Sequence, residues 1–164
     1  MKTLKILGVL LALVVGTLTV NAQTKTYNSY GVSFTYPSFL NIVGEEYSGN
    51  ELNVALSSKD QMSEMFIAVS DDYEMIESIE NYGLEAVLNN IKSQMVGGSA
   101  KLGTVKKYEN SVTLPFTMKE NGVSLSGEVT LSYKNDVIIL TMIVAPAGDK
   151  FNAVKQATKS IKVS

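Results

Sequence analysis

Two groups of side chains in this 164-residue chain could hold a metal ion, and neither has the spacing of a dedicated site. Asp71, Asp72, Glu74, Glu77 and Glu80 offer the hard carboxylate oxygens that calcium takes. They lack the alternating Asp-x-Asp-x-Asp-Gly pattern of a calcium loop. We read them as acids at the start of a helix, where the helix dipole favours negative charge. Met62, Met65 and Met75 form the second group, the first two in Met-x-x-Met spacing. Thioethers are soft ligands that suit Cu(I), but methionine more commonly fills irregular space in a core. The expectation is therefore no metal and no cofactor.

The catalytic inventory is equally short. Histidine and cysteine are absent, which removes Ser-His and Cys-His nucleophile pairs and most transition-metal sites. No Ser-x-x-Lys, Gly-x-Ser-x-Gly or phosphate-loop pattern occurs. Paired carboxylates would suffice for glycoside hydrolysis, yet the 16 acids are spread along the chain and select no pair. All 14 basic residues are lysines, so there is no planar guanidinium fork for phosphate or carboxylate. Setting aside Lys2 and Lys5 leaves 12 lysines against 16 acids, a net charge of −4. That is not the basic footprint of a nucleic-acid binder.

The first 22 residues read as an address. Lys2 and Lys5 precede an apolar run from Ile6 to Val15, and Val20-Asn21-Ala22 offers a cleavage site before Gln23. This is the pattern of a secretory signal peptide, and its apolar run is short for a membrane span, which takes about 20 residues. With no cysteine, lipid attachment after the signal and disulfides are both excluded. We expect a cleaved signal peptide over 1–22 and one domain over 23–164. The domain is periplasmic or secreted, with no integral membrane segment after cleavage.

The elements that would position any site are clearest from Ser111 to Pro146. Val112, Leu114, Phe116 and Met118 recur at period two, as do Val123, Leu125, Gly127, Val129, Leu131 and Tyr133, which marks strands with one apolar face. Asn121-Gly122 between them suits a tight hairpin. Val137 to Ala145 is apolar almost throughout, the mark of a strand covered on both faces. Upstream, Thr26–Tyr30, Val32–Tyr36, Leu52–Leu56 and Met65–Val69 read as strands, with Gly31 a bend or bulge, Ser38–Asn50 a loop and Lys59-Asp60 a turn. Leu102–Tyr108 is a weaker strand. Leu84, Val87, Leu88, Ile91 and Met95 fall on one helical stripe, capped by Asn81 or Ser78 and ended by Gly97-Gly98. Phe151, Val154, Thr158 and Ile161 line a short closing helix. Strands adjacent in sequence imply an antiparallel sheet. The fold class is α+β, an antiparallel sheet with helices on both faces.

Tyr30-Gly31-Val32-Ser33-Phe34-Thr35-Tyr36-Pro37-Ser38 resembles the Gly-h-Ser-h-x-Tyr-Pro opening (h, hydrophobic) of the PsbP/Mog1-like domains, including bacterial secreted proteins of the DcrB type. The last strand followed by a helix with Ser160-Ile161 is similar as well. Phe39 and Leu40 stand where many members carry tryptophan. The resemblance implies an αβα sandwich and an assembly, chaperone or regulatory role, and it transfers no catalytic residue.

The function expected is thus a non-enzymatic extracytoplasmic binding or accessory module with a protein partner. The alternatives are a small-ligand carrier with an apolar pocket between sheet and helix, and a small carboxylate-dependent hydrolase. The candidate partner-binding residues are Tyr47, Phe39 and Leu40, in the loop where aromatic and apolar side chains stand beside glycines. Phe39 and Leu40 equally suit a tuck beneath the sheet edge, whereas the Tyr47 hydroxyl tolerates water.

Overall fold

The computed structural model describes residues 23–95 and 100–164. The signal peptide expected over 1–22 and the helix stop expected at Gly97-Gly98 lie outside the described residues.

The meander forms as its periodicity demands. Strands β8 (Ser111–Glu120), β9 (Val123–Lys134) and β10 (Val137–Pro146) pair antiparallel. Two-residue turns at Asn121-Gly122 and Asn135-Asp136 join them, and all four turn residues have positive φ, the hairpin type that matches the twist of its strands. Strand β10 is central: it lies between β9 and β5 (Glu64–Ser70). Outward from β5 come β4 (Glu51–Ser58) and β3 (Leu40–Ser48), the latter an edge. On the other side β8 pairs with two short strands, β6 (Lys101–Leu102) and β7 (Lys106–Tyr108). These replace the single strand expected over 102–108, and the Gly103 N–H bonds the Pro115 carbonyl between them.

Both faces of this eight-stranded sheet are covered. On one face Ile138, Leu140, Val129, Leu131, Leu114 and Phe116 pack beneath helices α1 (Tyr73–Tyr82) and α2 (Leu84–Met95). The stripe expected for one helix belongs to α2, with Leu88 fully buried. A second helix precedes it because Asp72 accepts the Met75 N–H at 3.0 Å and starts a turn earlier than Ser78 or Asn81 would. Gly83, at φ +81°, then breaks the path between the two helices.

On the opposite face Ile143, Ala145, Met65, Ile67, Val54 and Leu56 meet a mixed layer. It holds α3 (Asp149–Lys159) and a separate three-stranded sheet of β1 (Thr24–Ser29), β2 (Val32–Pro37) and β11 (Lys162–Val163). The N-terminal strands therefore form a second sheet. Its central strand β2 is finished partly by a side chain on the β11 side: the Thr35 N–H donates to Ser160 Oγ at 2.9 Å, beyond the stretch that β11 pairs. Val137 to Ala145 is sandwiched as its composition requires, with alternate residues in the two cores. Among the described residues no helix is long and apolar enough to cross a membrane.

Candidate functional site

The residues expected to bind a partner separate in the structure. Leu40 is fully buried in the core, and Phe39 is half-buried against it. Both are packing residues, because the segment from Leu40 to Ser48 is strand β3 rather than a loop. Tyr47 alone of the three is exposed, at 52%. Its register partner is the core residue Leu52, so its ring rises on the face toward the small sheet.

There it meets Tyr30. The two rings stack 4.5 Å apart at 8°, and Tyr30 is 55% exposed. Tyr30 and Gly31 are the two turn residues of the β1–β2 hairpin, with φ of 51° and 73°. Gly31 is thus half of a tight turn, not a bulge. Among the described residues Asn opens the other two such turns, as the left-handed region favours. A tyrosine there costs about 1 kcal/mol of backbone strain. A stacked aromatic pair contributes about the same, 0.5–1.5 kcal/mol, so the stack offsets the strain without a clear surplus. Tyr30 was missed in the sequence because its partner lies 17 positions away in a different sheet.

Beside the stack, between the two sheets, is a cleft of about 200 Å³. Val32, Leu52, Val69, Val137 and Val163 supply apolar wall, and Asn50, Ser70 and Asp71 supply polar groups. The Asp71 N–H donates to the Asn50 carbonyl at 3.3 Å and ties the β3–β4 turn to the end of β5. Asp71 is the one carboxylate among the lining residues, and no lysine is among them. The cleft is therefore fitted to hold an apolar or aromatic group next to a hydrogen-bonding or cationic one. It lies between two sheets, which corrects the expected pocket between sheet and helix; those interfaces are occupied by the two cores.

Deeper in the same seam, Tyr27 is 4% exposed and stacks on Phe34 at 4.8 Å. Its hydroxyl is buried with no hydrogen-bond partner among the described residues, although Ser29 and Glu45 lie beside it. Burial first, and then the Glu45 carboxylate, push its pKa up.

The other candidates are dispersed. Met65 is buried in the core that faces α3, while Met75 packs in the core beneath α1 and α2, so the sheet separates the two sulfurs. Among the acids of 71–80, Asp72 caps α1 and Glu80 accepts a hydrogen bond from the Tyr133 hydroxyl at 3.0 Å. Among the described residues no three His, Cys, Asp or Glu side chains gather as a metal site. One pair of acids is electrostatically coupled: burial first, then Glu120, raises the pKa of Glu64. Glu64 and Ser70 stand at opposite ends of β5, about 20 Å apart at the rise of a strand, so this pair is remote from the cleft.

No protein-family model matches the sequence, and no curated protein matches it. Solved structures do. A protein from Bacteroides thetaiotaomicron superposes with a TM-score of 0.52 at 16% identity over 87% of this chain. This chain spans 49% of the length of that one. The cyanobacterial PsbP (CyanoP) of Synechocystis sp. PCC 6803 gives a TM-score of 0.51 at 14% identity, over 91% of this chain and 98% of its own. The superposition on CyanoP runs nearly the full length of both chains, and the fold of this chain is the PsbP/Mog1-like fold.

Proposed function

We propose that this protein is a non-enzymatic accessory module that binds a protein partner outside the cytoplasm, and that the Tyr30–Tyr47 cleft is its contact surface. One observation carries the reading: two half-exposed tyrosines are stacked beside a cleft with both apolar and polar walls, one of them held in a strained turn that asparagine would occupy at lower cost. Tyrosine anchors of this kind concentrate binding energy at interfaces. The shortage of nucleophile–base pairs in the sequence and the PsbP-like fold support the non-catalytic part. The signal-like residues 1–22 support the extracytoplasmic part.

The test is affinity capture from the extracytoplasmic fraction with the parent and the Tyr47→Ala variant, alongside glycoside and ester substrates. The parent should retain a partner that Tyr47→Ala loses, and neither should turn over substrate. Turnover abolished by replacing one acid, such as Glu64, would contradict the reading. N-terminal sequencing of the secreted form should begin at Gln23; a chain beginning at Met1 would contradict cleavage.

A further inference from the structure

Two strand edges open on the same side of the molecule. Strand β1 is the edge of the small sheet and β3 the edge of the large one. They run in the same direction: Lys25 Nζ donates to the Leu40 carbonyl and to Asn41 Oδ1, both at 3.1 Å, and Tyr30 stacks on Tyr47 further along. No backbone pairing joins them. The seam is therefore pinned at both ends and unpaired between.

Strand β3 is an unusual edge. Residues 42–48 are all exposed, although they form a strand, and they include Ile42 and Val43, the latter 62% exposed. A free edge offers a row of unpaired N–H and C=O groups to any extended segment. Midway along the seam the Tyr27 hydroxyl is buried beside Ser29 and Glu45, with no well-formed hydrogen bond among the described residues. A buried polar group of that kind needs an explanation.

The charge on the edge decides the occupant. Glu45 and Glu46 lie on β3, which carries no basic residue, and Glu51 and Asp71 stand near its end. The register of β3 on β4 also shifts at Val43, between Ile42 and Gly44. Like charges on an edge obstruct pairing with a second copy, and the bulge bends the edge so that regular strand geometry runs from there toward Ser48. The same acids attract a cationic segment.

We infer that β3 receives an extended, lysine- or arginine-bearing peptide segment of the partner. The segment adds as a strand along residues 43–48 and places an apolar side chain in the Tyr30–Tyr47 cleft. Strand addition of this type takes its affinity from main-chain hydrogen bonds and its specificity from pockets for alternate side chains. The inference rests on the cleft being the contact surface and names the partner's chemistry and pose.

The test uses the full chain after signal removal and an octapeptide of alternating lysine and valine, with amide hydrogen exchange as the readout. Added peptide should slow exchange at amides within 43–48. The same peptide N-methylated at alternate residues should give no protection, and a glutamate–valine peptide should not bind. The exposed double variant Glu45→Lys/Glu46→Lys should weaken the lysine peptide on the order of tenfold. Equal binding of the N-methylated peptide, protection at β6 or β7 instead, or concentration-dependent protection of β3 without peptide would each overturn strand addition. If Tyr47→Ala still loses the captured partner while β3 amides stay unprotected, strand addition fails and the contact surface stands. If the peptide protects β3 in both parent and Tyr47→Ala, the cleft has no part in binding.

Discussion

Tyr30 and Tyr47 stack across the gap between the two sheets, the one from a hairpin turn and the other from an edge strand. Because strain and stacking nearly cancel, this pair separates stability from binding. Tyr30→Asn relieves the left-handed backbone and forfeits the stack, so its stability should stay within about 1 kcal/mol of the parent. Chemical denaturation checks that figure. Capture of the partner by Tyr30→Asn should nevertheless fail. A variant destabilised by several kcal/mol would show that the stack is structural.

Gly127 faces Phe116 directly across β8 and β9, and a Cβ at 127 would lie 2.1 Å from the Phe116 ring. Phe116 is buried in the core beneath α2, so neither residue has room to yield. Gly127→Ala should cost about 1–3 kcal/mol as overpacking. Gly127→Ala combined with Phe116→Leu should recover part of it. Thermal melts of the three proteins measure the recovery, and its absence would mean that the glycine is needed for its backbone alone.

The meander was legible in the sequence because its period is unbroken and its turns carry Asn-Gly and Asn-Asp. Strand β10 was placed at the centre on composition alone, since only a strand covered twice is apolar at consecutive positions. Strand β3 was illegible for a local reason. The bulge at Val43 shifts the alternation by one, so that Ile42, then Glu45 and Tyr47, share a face. Period-two reading cannot follow that step and returns a loop. The break at Gly83 was hidden because α1 buries only Ile76 and Ile79, too few to mark a second stripe. The cleft itself depends on residues 30, 47, 71, 137 and 163 meeting across two sheets, and no local pattern encodes such a meeting.

Two acids should give stability opposite pH dependence. Burial pushes the Asp60 carboxyl up, but the Ser58 hydroxyl, the Met62 N–H and Lys150 outweigh it and hold it below the usual carboxylate range. A depressed folded pKa stabilises above the unfolded value, and the gain is lost as pH falls through the folded one. Asp60→Asn should therefore lower the melting temperature at pH 7, with the difference closing below about pH 4.

Glu64 runs the other way. Its pKa is raised by burial and by Glu120, so its contribution is fully present below the unfolded pKa and lost as pH rises through the folded one. Glu64→Gln should raise the melting temperature at pH 7, and the gain should vanish below about pH 4. A pH-independent effect in either variant would show that geometry rather than ionisation sets it.

The central claim is that a partner docks at the Tyr30–Tyr47 cleft, and photocrosslinking in the cells that make the protein tests it most directly. A benzophenone amino acid is placed at 47, and a control at Tyr108, which is exposed at the opposite edge of the sheet. Position 47 should yield one discrete covalent adduct with another protein, and position 108 should yield none. An adduct from 108 alone, or the same adduct from both, would contradict the account.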